Sequence, residues 1–178
     1  MTWLWPRSCG ENMNGKMRVG IGYDLHPLTA GRRLVLGEVE IPFERGLGGW
    51  SDADVLTHAI IDALLGAAAL GDIGNHFPPG DPQYKGISSL VLLGRTRDKL
   101  ADKGWQLVNI DATILAESPR LRDFIDPIRQ QLSQTLGIDV NRVGVKASTA
   151  NGLGFIGRGD GIAAYAVALI ESSKDEGI

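Results

Sequence analysis

Apolar and polar positions change period several times along the chain, and each change predicts an element. Met17 to Tyr23 (MRVGIGY) mixes β-branched residues with glycine and reads as a strand. Arg33 to Pro42 (RLVLGEVEIP) reads as a second strand or hairpin arm. From Ser51 to Leu70 the apolar residues recur at helical spacing. Ser51 there is a good N-cap, and Asp54 completes a capping-box pattern. A loop dense in Gly, Pro and Asp follows (GDIGNHFPPGDPQYKG). Helices are then predicted from Ile87 to Lys103 and from Pro119 or Arg120 to Leu136, with a strand from Trp105 to Ala116 between them. A further strand covers Arg142 to Ser148. Gly161 to Glu171 is apolar but poor in β-branched residues, so strand and helix both fit it. Strands and helices alternate only in part. The expected class is α+β: one mixed sheet with helices packed on one face.

Within this frame the D-x-H of GYDLH stands out. If the first strand continues, Asp24 and His26 project from the same face, with Cα atoms roughly 6.5–7 Å apart. His58 lies on the polar stripe of the predicted helix, with Asp54 four residues before it and Asp62 four after. Asp24, His26 and His58 can form a three-ligand metal site with one position open, the arrangement of catalytic zinc. Asp54 or Asp62 could accept the free ring N–H of His58 and set its tautomer. The competing reading is a solvated helix face and a hydrogen-bonded histidine at the edge of the core. The polar stripe ends in LGDIG, which adds a glycine-flanked acid at Asp72.

The chain has 178 residues, enough for one domain with a sizeable core. A net charge of −3 implies no general affinity for nucleic acid. One cysteine leaves no disulfide framework and fits a reducing, cytoplasmic compartment. No apolar run reaches the roughly 18–20 residues of a membrane span. Residues 1–16 match nothing that follows and are expected to be a disordered leader, an upstream start or an expression remnant. The domain is expected over 17–172, with a tail at 173–178.

Two further stretches carry chemistry. GLGFIGRGDG matches G-x-G-x-x-G at Gly152, Gly154 and Gly157, but too little chain follows for a dinucleotide-binding unit. It suits a glycine-rich turn near a phosphate, with Arg158 adding charge, or simply a wide loop between strands. Ser148 and Thr149 end a strand in two hydroxyls, and AESPRLR (Ala116 to Arg122) ends another in a proline turn with basic residues. Both suit phosphate oxygens. The plainer reading of the second is Ser118 capping a helix with Pro119 at its first position. His76 has no partner at ligand spacing.

GYDLHPL, SDADVLTHAIIDALLGAAALGDIG, VKAST and LGFIGRGDGIA, in this order and spacing, resemble the 2-C-methyl-D-erythritol 2,4-cyclodiphosphate synthase family over about residues 17–172. The resemblance implies conversion of 4-diphosphocytidyl-2-C-methyl-D-erythritol 2-phosphate to a cyclic diphosphate with release of CMP, in the non-mevalonate route to isoprenoids. It implies a homotrimer with sites at subunit interfaces, and one zinc per subunit on Asp24, His26 and His58. A second ion, magnesium or manganese, is also implied. Substrate contacts carry over to Asp24, Leu25, His26, Trp50 and Ser51. They extend to Asp72, Ile73, Gly74, Phe77, Pro78, Pro79, Gly80 and Asp81. The cytidine diphosphate pocket maps to Ala116, Glu117, Ser118, Pro119, Arg120, Leu121 and Arg122, and to Ser148, Thr149, Ala150 and Asn151. Phe155 and Arg158 map to substrate or cavity contacts. Thr149 maps to transition-state stabilisation, and Trp50 to the position of a phosphate-contacting histidine.

The chain departs from the family at three places. Trp50 offers one N–H donor and no charge. Asn151 replaces an acid credited with holding the second ion and brings no negative charge. PPGD after Phe77 loses one acid of the usual P-D-T-D. Two other readings therefore stand beside the synthase: a zinc phosphodiesterase giving an open product, and a non-catalytic binder of CDP-alcohols or isoprenyl diphosphates.

Overall fold

The structure is a computed structural model that describes residues 17–173; the expected leader and residues 174–178 of the tail lie outside the described residues. The elements in chain order are β1 (Met17–Ala30), β2 (Leu34–Leu36), β3 (Val39–Ile41), β4 (Arg45–Leu47), α1 (Val55–Ala67), α2 (Ile73–His76), α3 (Ser89–Asp102), β5 (Trp105–Leu115), α4 (Ile125–Leu136), β6 (Val143–Ser148), α5 (Gly154–Gly157) and β7 (Gly161–Ser172). Five strands form a mixed sheet in the order β4-β1-β7-β5-β6. Only β5 and β6 pair in parallel. The α+β class holds, with one amendment: β2 and β3 form a separate two-stranded hairpin. Its turn, Gly37-Glu38, has positive φ at both residues (56° and 63°), the backbone a two-residue hairpin requires.

β1 does not stop at Tyr23. It runs for 14 residues, through the D-x-H to Ala30. Its even positions, Gly20, Gly22, Asp24 and His26, face α1. Its odd positions lie on a face that no helix among the described residues covers: Val19 is 69% and Ile21 72% exposed, and Tyr165 and Val167 of β7 join them as cross-strand partners of Tyr23 and Ile21. Helices on one face is therefore what the chain adopts.

The seat of α1 is unusually close. A Cβ at Gly20 would lie 2.0 Å from the Ala63 carbonyl oxygen, and one at Gly22 only 1.9 Å from that of Ala59. Ala164, Ala166 and Ala168 of β7 extend the same small-residue floor and are almost wholly buried. This explains how the ambiguous last stretch resolves. Period-2 burial along β7, with alanine on the helix side, serves a sheet that must admit a helix backbone.

Two helix starts differ from expectation. α1 begins at Val55, and its N-cap is Asp54, not Ser51; the Asp54 carboxylate accepts from Thr57 N at 3.1 Å, Thr57 Oγ1 at 2.6 Å and Gly37 N at 2.6 Å. Complete burial pushes its pKa up to about 6, against those hydrogen bonds. Nor does Ser118 cap α4. Ser118-Pro119 is a cis bond, and the chain passes through a 3-10 turn at Arg122–Phe124 before α4 starts at Ile125. α3 begins where expected to within two residues, with Ser88 as N-cap.

Gly22→Ala is expected to cost about 3 kcal/mol, read from the urea midpoint, because overpacking forces helix and strand apart. Gly66→Ala on the exposed side of α1 meets nothing closer than 3.8 Å and should instead stabilise the chain by about 0.5–1 kcal/mol.

Candidate metal centre

β1 presents Asp24 and His26 two residues apart, and α1 lowers His58 onto them. Asp24 Oδ2 lies 2.9 Å from His26 Nε2 and 2.9 Å from His58 Nδ1. The two ring nitrogens are 3.2 Å apart. Donors on a tetrahedral zinc stand about 3.3 Å from one another, so this triangle takes an ion with a small outward adjustment. Among the described residues it is the one such cluster of three His, Cys, Asp or Glu side chains.

The far side of each ring fixes what its near side can do. His26 Nδ1 is 2.7 Å from the Gly48 carbonyl oxygen, which can only accept; one hydrogen is therefore on Nδ1, and Nε2 is the nitrogen that can turn to an ion in place of its bond to Asp24. Gly49 is cut to fit, since a Cβ there would lie 3.0 Å from the His26 ring. His58 turns Nδ1 to the triad and Nε2 to the hydroxyls of Ser89 at 2.9 Å and Ser51 at 3.2 Å.

The expected partners of His58 are thus replaced. Asp54 is committed to Thr57 and Gly37. Asp62, its pKa raised by burial, accepts Ile73 N at 2.7 Å and anchors α2. Ser89 carried no signal in the sequence: it sits 31 residues from His58, immediately behind an ordinary helix cap. Ser51, expected as a cap, supports the ligand instead.

Burial would raise the Asp24 carboxyl, but hydrogen bonds from His26 and His58 outweigh it and hold the group well below the usual carboxylate range. Burial would lower His26, yet the bond to Asp24 and the Gly48 carbonyl hold it above 6.5. The donor set, two imidazole nitrogens with settled outer contacts and one ionised carboxylate, fits zinc.

The triad opens into a cavity of about 240 Å³ walled by Trp50, Ile73, Gly74, Phe77, Pro79, Tyr84 and Leu92. Trp50 does not offer its N–H to this space. Nε1 donates to the Asp81 carbonyl oxygen at 3.1 Å, which ties the 50s loop to the 78–86 loop. Asp72 caps α2 through Asn75 N and Asp81 caps the next turn through Gln83 N. Pro78 and Gly80 are exposed. The Leu25 side chain points to the bare face, away from the triad.

Ala116 to Arg122, Ser148 and Thr149 do come together, around a separate cleft of about 610 Å³. Glu117 accepts from Ala150 N at 3.1 Å and closes its rim. Asn151 has a φ of 52°, a left-handed turn that asparagine tolerates well. The pairings Asp24–Ala164, Ala164–Ile114 and Ile114–Ala147 place this cleft at the same end of the sheet as the triad. Three strand spacings, about 14 Å, lie between them. Phe155 and Arg158 line neither cavity. Arg158 pairs with Asp160 at 2.9 Å, and the glycine-rich stretch, which connects β6 to β7, holds the short helix α5.

A mixed sheet with one helix face and an open three-ligand centre defines a small α+β metal-site domain. The chain belongs to the YgbB family, whose model matches residues 17–171. It is 63% identical over 155 residues to the 2-C-methyl-D-erythritol 2,4-cyclodiphosphate synthase of Dehalococcoides mccartyi strain CBDB1, covering 87% of this chain and 99% of that one. The synthase of Moorella thermoacetica is 56% identical over 154 residues, 86% and 94% of the two chains. The structure of the bifunctional IspDF from Campylobacter jejuni superposes with a TM-score of 0.86 at 40% identity; 89% of this chain is matched and spans 43% of that longer one. A CDP complex of IspF from Plasmodium falciparum gives 0.78 at 30% identity, covering 89% and 97%. No helix among the described residues is long and apolar enough to cross a membrane.

Protons compete for the same nitrogens as an ion. Because His26 holds its proton to above pH 6.5, zinc affinity measured by chelator competition should begin to fall above that pH and keep falling on acidification. An affinity flat from pH 8 to 6 would contradict this ligand set.

Proposed function

We propose that the chain is itself a 2-C-methyl-D-erythritol 2,4-cyclodiphosphate synthase. It converts 4-diphosphocytidyl-2-C-methyl-D-erythritol 2-phosphate to the cyclic 2,4-diphosphate and CMP. The observation that carries this reading is the open triad of Asp24, His26 and His58, with the outer nitrogen of each ring already engaged by Gly48 or by Ser89 and Ser51.

The reaction is an in-line displacement. An oxygen of the 2-phosphate attacks the β-phosphorus, the bond to the CMP oxygen breaks, and CMP leaves with that electron pair. No covalent bond to protein is needed, so the chain contributes position and charge. Asp24, His26 and His58 would hold the zinc, which would supply a positive charge to polarise the phosphoryl group. Ile73, Gly74, Phe77 and Pro79 enclose the methylerythritol end beside the triad. The cleft from Ala116 to Arg122 takes the cytidine diphosphate end, with Arg120 and Arg122 balancing its charge. Thr149 Oγ1 makes only long contacts of 3.4 Å to Asn151, which a phosphate oxygen can replace. Asn151 can still offer an oxygen to magnesium or manganese, more weakly than an acid. Trp50 acts as a wall of the pocket.

Triad and cleft are about 14 Å apart across one sheet, and the sheet face beside them is bare and apolar. A homotrimer that packs these faces together, with one copy's triad beside another's cleft, accounts for both. A cytoplasmic enzyme is in keeping with a single cysteine. One observation favours a second reading, a binder without turnover: the Trp50 N–H is spent on Asp81, so no donor replaces the family's histidine.

Phosphorus NMR of the zinc- and magnesium-loaded protein with the substrate separates these. The cyclic diphosphate should appear with CMP, vanish in His58→Ala, and slow by about 10²–10³-fold in Thr149→Ala at unchanged zinc affinity. CDP binding with unchanged substrate would support the binder, and an open product the phosphodiesterase. Sedimentation should give the mass of three chains, reduced in Ile21→Asp together with activity. A monomer with full turnover would sink the trimer.

A further inference from the structure

We propose that Asp52 and Ser89 are positioning residues that hold His58 in the one tautomer able to bind the metal. The proposal rests on the reading that the triad holds zinc and assigns a role to two residues outside it. Ser89 is fully buried, and its hydroxyl touches both His58 Nε2, at 2.9 Å, and Asp52 Oδ1. A hydroxyl has one hydrogen to give, and a carboxylate oxygen can only accept. The Ser89 hydrogen therefore goes to Asp52, which leaves its oxygen to accept from His58 Nε2–H. With a hydrogen fixed on Nε2, Nδ1 is the nitrogen left to the ion, which takes the place of its hydrogen bond to Asp24. The run from His58 Nε2–H through Ser89 Oγ–H to Asp52 has a single direction, set at its far end by a charge that never approaches the ion.

Asp52 is itself held firmly. It accepts from Ser89 N at 2.7 Å and from Asp54 N at 3.1 Å, and its own N–H donates to the Ile87 carbonyl at 3.1 Å. The same short segment carries Trp50, whose carbonyl accepts from Gly86 N at 2.9 Å and whose ring holds Asp81. The loop that walls the metal cavity and the group that orients a metal ligand are thus parts of one hydrogen-bonded strip. Ser51, the other hydroxyl near Nε2, accepts from Ala53 N at 3.2 Å and has no carboxylate behind it. It can receive the His58 hydrogen but does not enforce the direction.

This direction makes a specific prediction. In Asp52→Ala the Ser89 hydroxyl loses the acceptor that fixes its direction and is free to turn its hydrogen to His58 Nε2. In Asp52→Asn the amide oxygen takes the Oδ1 place, where it keeps both Asp54 N and the Ser89 hydroxyl, so the direction survives. The near-isosteric amide should therefore do far less harm than truncation. Zinc affinity by chelator competition is expected to fall about 10–100-fold in Asp52→Ala and in Ser89→Ala, but by less than about 5-fold in Asp52→Asn. The double variant Asp52→Ala with Ser89→Ala should bind no more weakly than the weaker single variant, because both act through one relay.

Nitrogen NMR of the histidine ring in metal-free protein gives the second readout. Whatever hydrogen Nδ1 shares with Asp24, His58 Nε2 should be protonated in the parent chain and in Asp52→Asn, and lose that protonation in part in Asp52→Ala. Urea midpoints of the same metal-free variants separate misfolding from misorientation. An Asp52→Ala variant that binds zinc as the parent does, a double variant weaker than either single variant, or an Nε2 unchanged in Asp52→Ala would overturn the proposal. If the parent chain itself fails to bind zinc, the metal reading fails, while the tautomer spectra still decide the relay.

Discussion

The contact on which this molecule depends is that between the backbone of α1 and the glycines of β1. Most helices rest on a sheet through side chains of appreciable size. Here Gly20 and Gly22 leave no side chain between the strand and the carbonyls of Ala63 and Ala59. At the residue next to Ala59, that closeness brings a helix histidine within 2.9 Å of a strand aspartate. A methyl group under the helix would lift His58 by more than a metal–ligand bond tolerates. Packing and chemistry are therefore the same constraint, expressed at neighbouring positions of two elements.

Around that contact the chain spends polar groups on orientation. His26 is turned by a backbone carbonyl, and His58 by hydroxyls that a carboxylate orients in turn. Asp54 ties the β2–β3 turn to the start of α1, Asp62 holds the start of α2, and Asp72 and Asp81 cap the turns that line the cavity. The acids near the triad thus divide by task. One stands in the triad, and the others fix the elements that surround it. In a buried site this division matters, because a free second carboxylate would compete for the ion or demand a proton of its own.

The opposite face of the sheet follows a different logic. Met17, Val19, Ile21, Tyr23 and Leu25 alternate with the residues that receive α1, and Tyr165 and Val167 continue the patch on β7. A strand whose two faces are both apolar is made to be covered twice, once by its own helix and once by something else. Asp111 and Lys146 pair at 2.6 Å on this same face and mark where the apolar patch gives way to charge.

That the D-x-H and the helix histidine come together was legible, because strand and helix periods are local properties and a two-residue spacing places side chains directly. The α+β class, the extents of β5, β6 and α3, and the gathering of Ala116 to Arg122 with Ser148 and Thr149 were legible for the same reason, helped by resemblance for the last. The partner of His58 was not. Asp54 and Asp62 stand at helical spacing and looked the natural choice, yet the stripe they share with His58 is divided between the hairpin, α2 and the site. Only the packing of α3 against α1 decides that Ser89 reaches the ring. Nor could the capping residue be chosen from a stretch with Ser51, Asp52 and Asp54 all suited to the role, because the choice depends on where the hairpin turn offers Gly37 N. By itself the sequence determined most of the longer elements, their faces and a candidate set of ligands. The tertiary structure alone decided which donors meet, since hydrogen bonds between distant segments depend on ångström placement that no spacing along the chain encodes.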